Sequence, residues 1–175
     1  MYHCHMRFYL AGRPHRVFEI IKGMSPLEHF THEFMGSAEV DAALAAWADV
    51  ILADLRDMDA REAVRILAAA KGDHAELILL VGEGHRTLLA EDLPAVRDMW
   101  IMPMSDEEVR FRFLGWQRAC KMEKDFWQTE QYLAAAINNI PTLIWFKDKD
   151  GIHRKVNDSF CQTVNKRKEQ VEGRG

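Results

Sequence analysis

The sequence predicts an α/β protein, a five-stranded parallel doubly wound sheet followed by a long helix and a β-hairpin. Short apolar runs alternate with stretches of helical spacing along the first hundred residues. From Asp106 to Asn139 no proline and a single glycine, Gly115, interrupt the chain. Beyond Pro141, two strand-like segments flank the turn sequence Asp148 to Gly151 (DKDG). Alternating strands and helices bury a parallel sheet under helices on both faces.

Met6 to Ala11 (MRFYLA) reads as a buried strand ended by Gly12 and Pro14. Val17, Ile20, Ile21 and Met24 then recur three or four apart, which is a helix closing near Gly23 and Pro26. His29 to Phe34 alternates as a second strand, and Ser37 is expected to cap a helix carrying Val40, Leu44 and Trp47. Asp49 to Leu55 (DVILADL) is the third strand, and Ala63, Val64, Ile66, Leu67 and Ala70 mark a helix that stops at Gly72. Ala75 to Val81 is the fourth strand, Thr87 to Leu93 a short helix before Pro94, and Met99 to Met102 the fifth strand, ended by Pro103.

Ser105 with Glu108 forms a capping box, and Asp106 and Glu107 complement the dipole of the helix that starts there. That helix is expected to run from Asp106 to about Ile137, about 48 Å at 1.5 Å per residue. Val109, Phe113, Trp116, Cys120, Trp127, Ala134 and Ile137 follow spacings of three and four, broken by Glu123 and Glu130. The first turns are expected to pack on the sheet, and the part beyond Cys120 needs another partner. Thr142 to Phe146 and Ile152 to Val156 form the hairpin, after which Asn157 or Asp158 caps a short helix through Phe160 and Val164.

Composition narrows the function classes. A net charge of −4 provides no basic field, so no nucleic-acid partner is expected. The longest apolar stretches, such as Leu77 to Val81, fall far short of the roughly 20 residues of a membrane span, and Met1 to Met6 lacks the features of a secretory signal. No membrane partner and a cytoplasmic location are expected. Three widely spaced cysteines, Cys4, Cys120 and Cys161, do not make a disulfide framework.

A doubly wound sheet binds ligands beyond the carboxyl ends of its strands. Those ends are Ala11-Gly12, Ala53-Asp54, Val81-Gly82 and Met102-Pro103, and only Asp54 is a reactive carboxylate. By the alternating strands and helices, by Asp54 ending the third strand in DVILADLRDMD and by Pro103 directly after the fifth, residues 6–118 resemble a response-regulator receiver domain, which implies a flavodoxin-like sheet. Receivers that accept phosphate carry an acidic pair after strand one to hold Mg²⁺, an aspartate after strand three, a Ser or Thr after strand four and a Lys before the strand-five proline. Here Ala11 and Gly12, Val81 and Met102 stand where the acids, hydroxyl and ammonium would be, and Arg13 opposes a cation. The resemblance therefore implies a degenerate, non-catalytic pseudo-receiver. In that reading Asp54 is a vestigial phosphoacceptor position, a solvated or capping aspartate beside Arg56. The alternatives are a receiver phosphorylated at Asp54 and a flavodoxin-like domain that binds a small ligand.

Residues 138–175, entered by a helix through Leu133 into Asn138 to Pro141 (NNIP), resemble the start of a PAS domain: TLIWFKDKDG, then IHRKVN, then NDSFCQTVN. The chain is expected to end inside that domain. The order pseudo-receiver, helix 106–137 as signalling linker, PAS start resembles the input half of diguanylate cyclases of the GGDEF class, although no GGDEF motif occurs here. It implies an output domain in cis, a GGDEF cyclase first and a histidine kinase second. It also implies a homodimer through the long helix, with Phe126, Trp127 and Leu133 at the contact.

Other constellations are read more plainly. Of His3, Cys4 and His5, the residues two apart share a strand face and could chelate together, but two ligands are not a site. His29 and His32, three apart, should face opposite sides, so no metal and no cofactor are expected. Gly82-Glu-Gly84 lacks the third glycine and the lysine of a phosphate loop. Cys120 and Ser159 lack an evident base, and Trp100, Trp116, Trp127 and Trp145 fit core stripes better than a cofactor surface.

Overall fold

A computed structural model describes residues 3–85 and 93–175. The chain forms two compact units, Met1–Arg118 and Ala119–Gly175.

The first unit is the expected α/β, flavodoxin-like doubly wound sheet. Its strands are β1 (Cys4–Ala11), β2 (Phe30–Ser37), β3 (Val50–Asp54), β4 (Glu76–Gly82) and β5 (Asp98–Met102), all parallel in the order β2-β1-β3-β4-β5. Between them run α1 (Arg16–Gly23), α2 (Ala42–Trp47) and α3 (Ala60–Ala70). Alternation along the strands sends Tyr9, Ala11, Ile51, Ala53, Leu77 and Leu79 into one cluster with Ala63, Val64 and Leu67 of α3. On the opposite face Phe8 meets Phe113 and Trp116, ring centroids 5.9 and 5.5 Å away, at the start of α4 (Asp106–Asn138). The Ser105 capping box forms as read: Glu108 N–H donates to Ser105 Oγ at 3.2 Å and Ser105 N–H to Glu108 Oε2 at 2.7 Å. α4 is one continuous helix of 33 residues.

Two expectations for this unit are corrected. Ser37 does not cap α2, because it closes β2 and its hydroxyl bonds Tyr9 Oη at 2.6 Å. Asp41, nearer the first turn, accepts the Ala43 and Leu44 N–H groups instead. β2 starts at Phe30 because His29 has a φ of 70°, which is not a strand conformation. The predicted helix Thr87 to Leu93 lies outside the described residues, apart from Leu93, which opens a 3₁₀ turn, Leu93–Ala95.

In the second unit, β6 (Trp145–Lys147) and β7 (His153–Val156) pair antiparallel, followed by α5 (Asp158–Val164) and α6 (Lys168–Val171). The sequence expectation of a strand from Thr142 is too long. The backbone of 140–144 is held chiefly through Asn157 instead of a strand partner: its side chain, fully buried, donates from Nδ2 to the carbonyls of Ile137 (3.0 Å), Ile140 (3.2 Å) and Thr142 (2.8 Å). Its Oδ1 accepts from Ile144 N–H and from Phe160 N–H, the latter capping α5 as expected. No helix of the described residues is long and apolar enough to cross a membrane.

Candidate functional site

The parallel pairing of β1 with β3 sets Ala11 beside Ala53, so the next residues, Gly12 and Asp54, emerge together at the carboxyl end of the sheet. Gly12 is required there. Its φ is +132°, and a Cβ on it would stand 3.1 Å from Asp54 Cβ. Three residues on, His15 caps α1, with Nδ1 accepting the Val17 N–H at 3.3 Å. That bond leaves the ring proton on Nε2, which lies 2.8 Å from Asp54 Oδ2, within ion-pair distance although off the angle of a full hydrogen bond.

Arg56 completes the arrangement from the loop after β3. Its Nε donates to Asp54 Oδ1 at 2.9 Å and its Nη2 to Oδ2 at 2.6 Å, while its backbone N–H reaches Oδ1 at 3.1 Å. Asp54 is 7% exposed, so it is not the solvated aspartate that the sequence allowed but a buried, bidentately paired one. Burial alone would raise its pKa, yet the bonds from Arg56 and the close approach of the His15 ring outweigh that and hold the carboxyl well below the usual carboxylate range. The ionised carboxylate therefore has both oxygens engaged. A cavity of about 690 Å³ opens beside it, lined among others by Gly12, Arg13, His15, Arg56 and Asp57.

The remaining positions that a phosphoacceptor would use lie at the same end of the sheet. Ala11 and Val81 are fully buried, and Met102, 8% exposed, pairs with Gly82. Gly82 N–H donates to His85 Nδ1 at 3.3 Å, so the loop after β4 is tied back by an imidazole instead of presenting a hydroxyl. None of these side chains can balance a phosphoryl charge. His15 was not foreseen from sequence. Its signal was a cap-compatible polar residue directly after Pro14, one turn beyond a strand end.

The other singled-out residues disperse. Trp100, Trp116 and Cys120 are buried, and Ser159 Oγ donates to Ile140 O at 3.2 Å. On α4, Val109 and Phe113 are buried in the first unit, whereas Phe126, Trp127 and Leu133 of the second are 70%, 65% and 40% exposed. Among the described residues no three His, Cys, Asp or Glu side chains are arranged to hold a metal ion.

No protein-family model and no curated protein matches this sequence. Among solved structures the chain is similar to an adenylate cyclase from Rhodopirellula baltica, at 14% identity over 71% of this chain and 98% of that one, with a TM-score of 0.48. It is similar to NtrX from Brucella abortus in complex with ADP, at 14% identity and a TM-score of 0.45 over 69% of this chain; the match spans 29% of NtrX. It is also similar to the pilus assembly protein CpaE from Caulobacter crescentus, at 12% identity over 63% of this chain and 97% of that one, with a TM-score of 0.45. Likeness at these identities and scores says nothing about the chemistry at Asp54.

Proposed function

We propose that this chain is a non-catalytic signal-transduction input module, a pseudo-receiver joined by α4 to the start of a PAS domain. The observation that carries the reading is the occupied carboxylate. Asp54 stands where a receiver would take up phosphate, but Arg56 and His15 hold both of its oxygens, and Gly12 supplies no acid for a metal. A nucleophile already neutralised by a guanidinium has neither a free lone pair aimed at phosphorus nor the divalent ion that would offset the incoming charge. In this reading residues 6–118 are the receiver-like domain, 106–137 the signalling linker and 138–175 the PAS fragment.

The test is to incubate the chain with acetyl phosphate, and separately with beryllofluoride, in the presence of Mg²⁺. Unchanged mass and unchanged amide shifts around Asp54 are expected. Stoichiometric Mg²⁺-dependent modification, lost in Asp54→Asn, would overturn the reading in favour of a phosphoaccepting receiver. The cavity beside Asp54 favours one further alternative, a small-ligand-binding domain, and a ligand screen by thermal shift with perturbations at Gly12 and Asp57 would establish it.

The wider assignment rests on the order of the two resemblances. The module acts in the cytoplasm on an output domain in cis, a diguanylate cyclase first and a histidine kinase second. It self-associates along α4, where Phe126, Trp127 and Leu133 expose apolar area that a second copy can cover. Sedimentation should show a dimer that Trp127→Glu weakens. A strict monomer at high concentration, indifferent to that substitution, removes the dimer from the proposal.

A further inference from the structure

At the amino end of β1, opposite the Asp54 end of the sheet, two histidines and a carboxylate share one surface. Strand alternation turns Cys4 away from His5, to contact Met6 at 3.5 Å, while His3, directly before the strand, reaches Thr31 on the His5 side. The register places His5 beside Thr31 of β2 and Arg7 beside Glu33. His5 Nε2 lies 2.8 Å from Glu33 Oε2, and its Nδ1 lies 3.0 Å from Thr31 Oγ1. The same hydroxyl lies 3.3 Å from His3 Nε2.

The protonation pattern follows from these contacts. Glu33 can only accept, so it fixes the His5 proton on Nε2 and leaves the Nδ1 lone pair facing the Thr31 hydroxyl. His3 Nε2 converges on that hydroxyl from the other side. Two imidazole nitrogens thus point toward one place, and one of them is oriented by a carboxylate on its far nitrogen, the arrangement that sets up metal-bound histidines. Arg7, two residues along β1 from His5, is already engaged by Asp49 through Nε and Nη2 at 3.0 and 2.9 Å.

We propose that His3 Nε2 and His5 Nδ1 chelate a late first-row divalent cation, Zn²⁺, Ni²⁺ or Cu²⁺, with Glu33 as the orienting partner. The ion takes the place between the two rings now bridged by Thr31 Oγ1, and water fills its remaining positions. Imidazole selects these metals over Mg²⁺ or Ca²⁺, which prefer all-oxygen shells. With two protein ligands the site is open and exchangeable, unlike a closed structural zinc centre. It is independent of the signalling role assigned to Asp54.

The experiment titrates Ni²⁺ and Zn²⁺ into the full 175-residue chain without an added tag, reading heat and the line widths of the His3 and His5 ring signals. One ion per chain is expected, with broadening by Ni²⁺ confined to His3, His5 and Thr31. His3→Gln and His5→Gln should each weaken binding at least about tenfold, and Glu33→Gln about tenfold to a hundredfold with the stoichiometry kept. All three positions are exposed or half-buried surface sites, and an unchanged melting temperature in each variant confirms that the loss is one of ligation. Absence of saturable binding, binding that persists in the His3→Gln/His5→Gln double variant, or indifference to Glu33→Gln overturns the proposal.

Discussion

Trp100 and Trp145 both lie on β-strands, yet Trp100 is fully buried in a five-stranded sheet and Trp145 is 50% exposed on a hairpin of two. The same contrast holds for Phe8 and Phe113 in the first unit against Phe126 and Phe146 in the second. A parallel sheet with helices on both faces closes over its large side chains, whereas two strands and short helices have no second layer to place on theirs. Beside the few apolar side chains that the second unit does bury, Ile137, Val156 and Val171, stands a polar centre: Asn157, with its amide spent on three carbonyls and its oxygen on two N–H groups. One unit is organised by apolar burial, the other by a hydrogen-bonded hub.

Substitutions can break that contrast. Trp100→Ala should destabilise the first unit by about 3 to 5 kcal/mol, the range for emptying a large buried aromatic site, measured by denaturant unfolding. Asn157→Ala should come next, at about 2 to 3 kcal/mol, because it strands one buried and several partly buried backbone groups at once. Hydrogen exchange should speed up at Ile144 and Phe160 while the β1 and β3 amides keep their protection. If those strands lose protection equally, the two units do not have separate stabilising logic.

A pH series sharpens the comparison within the first unit. Burial among Phe8, Phe34 and Phe113 pushes the His32 pKa down from 6.5 to about 4. A histidine with a depressed folded-state pKa contributes stability that is complete above pH 6.5 and lost as the pH falls toward 4, because the unfolded chain takes the proton first. The slope cannot exceed about 1.4 kcal/mol per pH unit for one proton, and His32→Phe should flatten it. Asp54, also depressed, acts in a lower window: its contribution is held above about pH 3.8 and declines below it. A titration of stability that shows no His32-dependent slope between pH 6.5 and 4 would contradict the burial assigned to that ring. The smallest effect should be Trp145→Ala, about 0.5 kcal/mol or less, as for a surface substitution. A cost near that of Trp100→Ala would mean that something covers the hairpin in solution.

Most of the first unit was legible because strands buried on both faces leave an unmistakable signature: VILAD and ELILLV cannot be surface segments. The start of α4 was equally readable from Ser105 and Glu108, since a capping box is a local interaction. Asp54 could be located for the same reason that its setting could not. Its place at a strand end is a matter of pattern, but its clamp by His15 is made across the sheet by a residue from another loop. The Ser37 error has a similar origin, as two cap-competent residues lay near one helix and only tertiary contact with Tyr9 decided between them. Trp127, placed in a buried stripe by its spacing, shows that periodicity reports which residues share a face and not whether anything lies opposite.

The geometry of Gly12 also limits what can be engineered at this end of the sheet. Gly12→Asp, the single substitution that would add a metal-holding acid beside Asp54, would put a side chain on a backbone at φ +132° and set its Cβ 3.1 Å from Asp54 Cβ. The side chain that metal chemistry calls for is one that this turn does not admit. Grafting a carboxylate here is therefore a problem of backbone design before it is one of residue choice, since the turn has to be rebuilt to receive it.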